Sequence, residues 1–136
     1  MKLTTLLLLV ACVAVLFACK SKTNALGQQS AQYETVDNQT FSELLLKTNI
    51  LLVDVRTEKE FAESHLRDAL NIDVQKDDFI SQAKRLLGKK KWVAVYCRSG
   101  RRSAHAAELL VKNGYKVVNL SGGILGWTAE GREVVK

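Results

Sequence analysis

The stretch WVAVYCRSGRRSAHAAELL, Trp92 to Leu110, decides the fold. Trp92 to Tyr96 is an unbroken apolar run, and such a run without polar alternation is the pattern of a strand buried on both faces. From Arg102 to Asn113 the apolar spacing becomes helical, with Ala106, Leu109 and Leu110 inward and Gly114 placed as a left-handed cap. Cys97 stands at the junction, followed by Arg98, Ser99, Gly100, Arg101 and Arg102.

Working outward, ILLVDV at 50–55 reads as a second buried strand and Lys116 to Leu120 as a third. Tyr33–Val36 and Leu70–Ile72 are shorter candidates. Thr40 to Glu43 has capping-box spacing ahead of three leucines, so a helix is expected there. Further helices are expected over 58–66, with Phe61 inward, and over 77–87. The second of these carries Phe79, Ile80, Ala83, Leu86 and Leu87 inward and is closed by Gly88, and a last helical turn surrounds Trp127. Strands alternating with helices predict an α/β domain: a mainly parallel sheet of about five strands, helices on both faces and right-handed crossovers. Ligands of such sheets gather beyond the carboxyl ends of the strands. Cys97, Asp54 to Arg56 and Ser121 to Gly123 occupy three of those ends.

A chain of 136 residues has room for one modest core. Residues 1–18 have the layout of a secretory signal: Lys2, an apolar stretch from Leu3 to Phe17, and Ala18. That stretch is shorter than a comfortable transmembrane span. Leu16-Phe17-Ala18-Cys19 resembles a bacterial lipobox, in which Cys19 is acylated and becomes the mature terminus. The division expected is therefore a signal over 1–18, a lipidated terminus and polar tether over 19–32, and the domain over 33–136. Lipid on Cys19 would hold that domain at an extracytoplasmic face of the bacterial envelope, periplasmic in the simplest case, because two acyl chains are retained far better than one. Of the three cysteines, Cys12 would leave with the signal and Cys19 would carry lipid. Cys97 is then the sole free thiol and no internal disulfide is expected.

The net charge of +6 raises the question of nucleic acid. The cations are scattered, Lys89-Lys90-Lys91 reads as a solvated turn, and no aromatic residues interleave them to stack bases, so no nucleic-acid partner is expected. One cysteine and two separated histidines, His65 and His105, lack metal-cluster spacing; neither a metal nor a cofactor is expected. Both histidines read as hydrogen-bonding structural residues.

A strand, a tight polar loop and a helix start turn several backbone N–H groups toward one point and add the positive end of the helix dipole. A cysteine there is favoured as thiolate, and Arg98, Arg101 and Arg102 are expected to lower its pKa further by direct charge. Ser99 and Gly100 allow the bend.

Four motifs in order, LLVDVRTEKEF (51–61), SHLRDALNI (64–72), YCRSGRRS (96–103) and NLSGGILGW (119–127), resemble the single-domain rhodanese, or thiosulfate sulfurtransferase, family. The resemblance implies the rhodanese-like fold and sulfur transfer in two half-reactions: Cys97 takes a sulfane sulfur from thiosulfate or a similar anion, then passes it from a persulfide to cyanide, a thiol or a protein acceptor. It implies that Arg98, Ser99, Gly100, Arg101 and Arg102 form the anion cradle, with Arg102 either meeting the donor or bracing the loop. Asp54 and Arg56 would tie neighbouring loops to the active one, or form an ordinary pair with Glu58, Glu60 or Arg102. Gly122 and Gly123 would allow close backbone approach, with Trp127 packed beside the site or in the core. Ser64 and Asp68 stand where the family usually has glycines.

Two other functions compete. A cysteine phosphatase places five residues between its cysteine and its arginine, whereas four separate Cys97 from Arg102 here, a ring better sized for sulfur. A non-catalytic or carrier rhodanese module, binding a protein partner or sensing redox state, is the reading of a different class. Such modules often lack the cysteine, which this chain retains.

Overall fold

A computed structural model describes residues 32–88 and 92–136. The signal stretch, Cys19, nearly all of the tether and the triplet Lys89-Lys90-Lys91 lie outside the described residues. Five strands, β1 (Glu34–Val36), β2 (Ile50–Asp54), β3 (Leu70–Asn71), β4 (Trp92–Tyr96) and β5 (Lys116–Leu120), alternate with five helices. These are α1 (Asn38–Leu45), α2 (Glu58–Glu63), α3 (Phe79–Leu87), α4 (Arg101–Lys112) and α5 (Gly123–Ala129). Every strand pairing is parallel and the spatial order is β1-β5-β4-β2-β3, which puts β4 in the middle.

Side chains along a strand alternate between faces, and β4 supplies an apolar residue to each. Val93, Val95 and Cys97 join the cluster formed with Phe79, Ala83 and Leu87 of α3 and Ala106, Ala107 and Leu110 of α4. Ala94 and Tyr96 join the opposite cluster, with Phe41 of α1 and Ile124 and Trp127 of α5. The unbroken apolar run is therefore what a central strand with helices on both faces requires. Because Cys97 continues the Val93–Val95 side, its thiol points toward the amino terminus of α4.

Four local expectations differ from the structure; the helix expected over 58–66 stops at Glu63, where Ser64 turns extended. Helix α1 begins at Asn38, capped by the Asp37 carboxylate, which accepts from the Thr40 amide at 2.8 Å. The capping box lies instead at Thr57 and Glu60, starting α2. In α3 the inner stripe is Phe79, Ala83 and Leu87, so Leu86 falls on the flank and is 45% exposed.

Candidate active site

Between the last pairing residue of β4 and the first turn of α4 the chain has only Cys97 to Gly100 in which to reverse direction. Gly100 makes this possible with φ of +99°, a left-handed conformation that also brings it so close to β5 that a Cβ would collide with the Ser121 carbonyl oxygen. From the other side, Gly123 has φ of +59°, and a Cβ on it would lie 2.6 Å from the Cys97 carbonyl oxygen. The Ile124 amide donates to that oxygen at 2.9 Å and the Leu125 amide to the Arg98 oxygen at 3.1 Å. The start of α5 is thus bonded directly to the cysteine loop. Gly122 precedes α5 with an ordinary φ of −96° and makes no such approach.

The Cys97 residue is 1% exposed, yet its sulfur is not surrounded by hydrocarbon alone. The Gly100 amide donates to Sγ at 3.1 Å and the Ser103 hydroxyl lies 3.3 Å away. Burial opposes ionisation, but the Ser103 hydroxyl and the amides of Ser103, Gly100 and Ser99 together outweigh it and hold the thiol below its ordinary pKa. Direct guanidinium charge, expected from the sequence, ranks behind these hydrogen bonds, although Arg102 is still attracted to the Cys97 charge. Arg98 and Arg101 are exposed and, among the described residues, form no ion pair or side-chain hydrogen bond. Arg102 turns away to Glu60 in a two-pronged pair of 2.8 and 2.7 Å.

Glu60 is a junction. Its carboxylate takes both Arg102 bonds and also accepts from the Thr57 amide and hydroxyl, at 3.1 and 2.9 Å, clamping the start of α2 to the start of α4. The Arg102 bonds, ahead of those from Thr57, hold its pKa at about 2 despite partial burial.

Asp54 and Arg56 pair with each other, buried, the shortest contact being 2.6 Å. Arg56 continues to the Ser64 carbonyl at 2.7 Å, and its guanidinium lies 5.7 Å from the Tyr96 ring centre. This pair braces the segment after β2 and makes no contact with the loop of 98–102; the link to that loop runs through Glu60. Trp127, one turn along α5 from Gly123, meets Phe41 edge-on and donates to the Glu133 carbonyl, so it belongs to the far core. Of the two positions where the family favours glycine, Ser64 is extended at φ of −170° and needs none. Asp68 carries the left-handed φ of +65°. His65 stacks on Phe61 and bonds the Phe61 carbonyl through Nδ1 at 2.9 Å, while His105 is exposed on α4. Ser103 is the functional candidate that sequence reasoning passed over, although it closes the motif YCRSGRRS.

A strand-end thiol, held toward its anion by amides of a tight loop in an all-parallel α/β sheet, defines a class of nucleophilic sites. The model of the rhodanese-like domain matches residues 37–130, and the chain belongs to that family. It is 37% identical over 102 residues to a protein named sulfurtransferase from Allochromatium vinosum, covering 74% of this chain and 92% of that one. Against the thiosulfate sulfurtransferase GlpE of Coxiella burnetii it is 33% identical over 98 residues, covering 71% and 89%. A rhodanese-related protein from Thermoplasma volcanium superposes with a TM-score of 0.66 at 29% identity, over 76% of this chain and 98% of that one. A rhodanese-like domain protein from Staphylococcus aureus does so with 0.62 at 30%, over 76% and 99%.

Proposed function

We propose that the protein is a sulfurtransferase that carries a sulfane sulfur on Cys97. The observation that supports this most is the set of donors at Sγ, the Gly100 amide and the Ser103 hydroxyl, which stabilise a thiolate in a nearly closed site. In the first half-reaction the Cys97 thiolate attacks the outer sulfur of thiosulfate. A new S–S bond forms, the S–S bond of the donor breaks, and sulfite leaves with its electron pair. In the second, a nucleophile attacks the outer sulfur of the persulfide and the Cys97 thiolate departs. With cyanide as the acceptor no proton needs to move in either step, and among the described residues the groups bonded to Sγ, the Gly100 amide and the Ser103 hydroxyl, are donors rather than bases. Arg98 and Arg101, free at the rim, attract the dianionic donor; Arg102 and Glu60 hold the loop in shape.

The test is steady-state turnover of thiosulfate and cyanide into thiocyanate and sulfite. Parallel lines in double-reciprocal plots, lost completely in Cys97→Ser, support the proposal; undiminished turnover in Cys97→Ser refutes it.

One observation favours a protein as the second substrate. Leu125 is 46% exposed and its amide donates to the Arg98 carbonyl, so an exposed apolar residue is tied to the loop that carries the exposed Arg98 and Arg101. Such a mixed surface suits a macromolecular acceptor better than a small thiol. We further propose, from the sequence alone, that the signal is removed and Cys19 is acylated, tethering the domain to the outside of a bacterial membrane. Replacing Cys19 with Ala should move the protein from the membrane to the soluble fraction.

A further inference from the structure

We infer that the pole of the domain opposite Cys97 is a seat for an anionic lipid surface, which points the reactive sulfur away from the membrane. The inference rests on the proposed anchorage through Cys19. In an all-parallel sheet with crossover helices, the amino ends of the strands and the carboxyl ends of the preceding helices all gather at one pole. Cys97, at the carboxyl end of β4, lies at the other. The five residues of β4 (Trp92–Tyr96) separate the two poles by roughly 16 Å.

That far pole collects exposed apolar side chains. Leu46 ends α1 and is 85% exposed, Leu86 lies in the last turn of α3, and Trp92 opens β4 at 39% exposure. Each has a cation next to it, in the sequence or in space. Lys47 follows Leu46 and Arg85 precedes Leu86 in sequence. The Lys116 ammonium lies over the Trp92 ring, 5.6 Å from its centre. Trp92 and Lys116 also share a cleft of about 420 Å³ with Gln32, Tyr33 and Glu34, so one carboxylate borders the patch. Indole rings and leucines flanked by lysine or arginine are the side chains that partition at a membrane interface, the rings at headgroup depth and the cations against lipid phosphates.

The chain itself selects a membrane as the occupant. Gln32, the first described residue, lines the same cleft, so the segment from Cys19 enters the domain at this pole. Thirteen residues, 20–32, separate Cys19 from Tyr33. A polar chain of that length has a typical end-to-end distance of about 20 Å. A lipidated Cys19 would therefore hold the pole, on average, within about 20 Å of the bilayer.

The sequence holds two tryptophans, and only Trp92 is at this pole, which provides the readout. The full chain, made in a host that processes lipoproteins, is reconstituted into vesicles of phosphatidylglycerol and phosphatidylcholine with brominated acyl chains, which quench indoles at the interface. The expected result is loss of a large part of the emission, abolished by Trp92→Phe, with Trp127 in the core unaffected. Quenching should also be lost in Arg85→Glu/Lys116→Glu, although that variant still floats with the vesicles. Wild-type protein that floats, is released by Cys19→Ala, yet shows no quenching would overturn the seat and leave the anchor standing. Protein that never floats would overturn both. Trp92 shielded because two copies pair through this pole, seen as a dimer in detergent by sedimentation equilibrium, would also overturn the inference.

Discussion

The Ser103 hydroxyl stands 3.3 Å from Cys97 Sγ and 3.2 Å from the Gly100 carbonyl oxygen. One hydroxyl proton serves both neighbours, and it turns to the sulfur when the sulfur is ionised. Ser103→Ala removes a leading contribution to the lowered thiol pKa while leaving the Gly100 amide in place. The inflection in the pH dependence of iodoacetamide alkylation should move upward, with roughly tenfold slower alkylation near neutral pH. Thermal stability should change little. An unaltered alkylation profile would remove Ser103 from the account.

The two glycines that approach the loop from opposite sides give a second expectation. Gly123→Ala forces a Cβ into the Cys97 and Arg98 carbonyl groups at positive φ, and Gly100→Ala does the same against Ser121. Each should cost about 2–4 kcal/mol in chemical denaturation and abolish turnover in whatever folds. Gly126→Ala is the control. It lies inside α5 with open space where its Cβ would be, so it should be neutral or slightly stabilising.

Much of this was legible in the sequence because burial on two faces leaves a direct trace. The runs at Ile50, Trp92 and Lys116 gave the three central strands, and Arg102 to Asn113 gave α4 within a residue at each end. The rest required tertiary partners. Nothing local says that Arg102 meets Glu60, 42 residues earlier, rather than the thiol or a donor. Ser103 reads as an indifferent helix residue until the turn at Gly100 rolls it under Sγ. Trp127 follows the paired glycines closely in sequence, but a single helical turn carries it round to Phe41. Leu86 fits an apolar stripe in the sequence, and only the start of α3 at Phe79 shows that the stripe passes it by.

The loop arginines divide into two kinds that kinetics should separate. Arg98→Ala and Arg101→Ala remove exposed charges with no internal partner and should raise KM for thiosulfate about threefold to tenfold, more at low ionic strength, with melting temperature nearly unchanged. Arg102→Ala breaks the clamp to Glu60 and should lower melting temperature first. Equal effects of all three on KM would contradict the division.

Glu60 predicts how stability depends on acid. Its pKa is held at about 2, below the ordinary 4.5, chiefly by Arg102. A carboxylate depressed in the folded state stabilises fully above its unfolded pKa and loses that contribution as pH falls through the folded one. The clamp should therefore weaken between about pH 4.5 and 2. The pair is partly solvent-exposed, which limits the loss to about 1 kcal/mol. Urea denaturation of Glu60→Gln should show less acid dependence than wild type across that interval; identical slopes would mean that the pair contributes nothing.

The claim that Cys97 itself carries the transferred atom is tested most directly by intact-mass measurement of the purified protein after brief treatment with thiosulfate and removal of excess donor. The expected result is a gain of one sulfur atom, mapped to the peptide holding Cys97, absent in Cys97→Ser and discharged by cyanide with recovery of the starting mass. No added mass on the native protein, or an adduct that persists in Cys97→Ser, would contradict it.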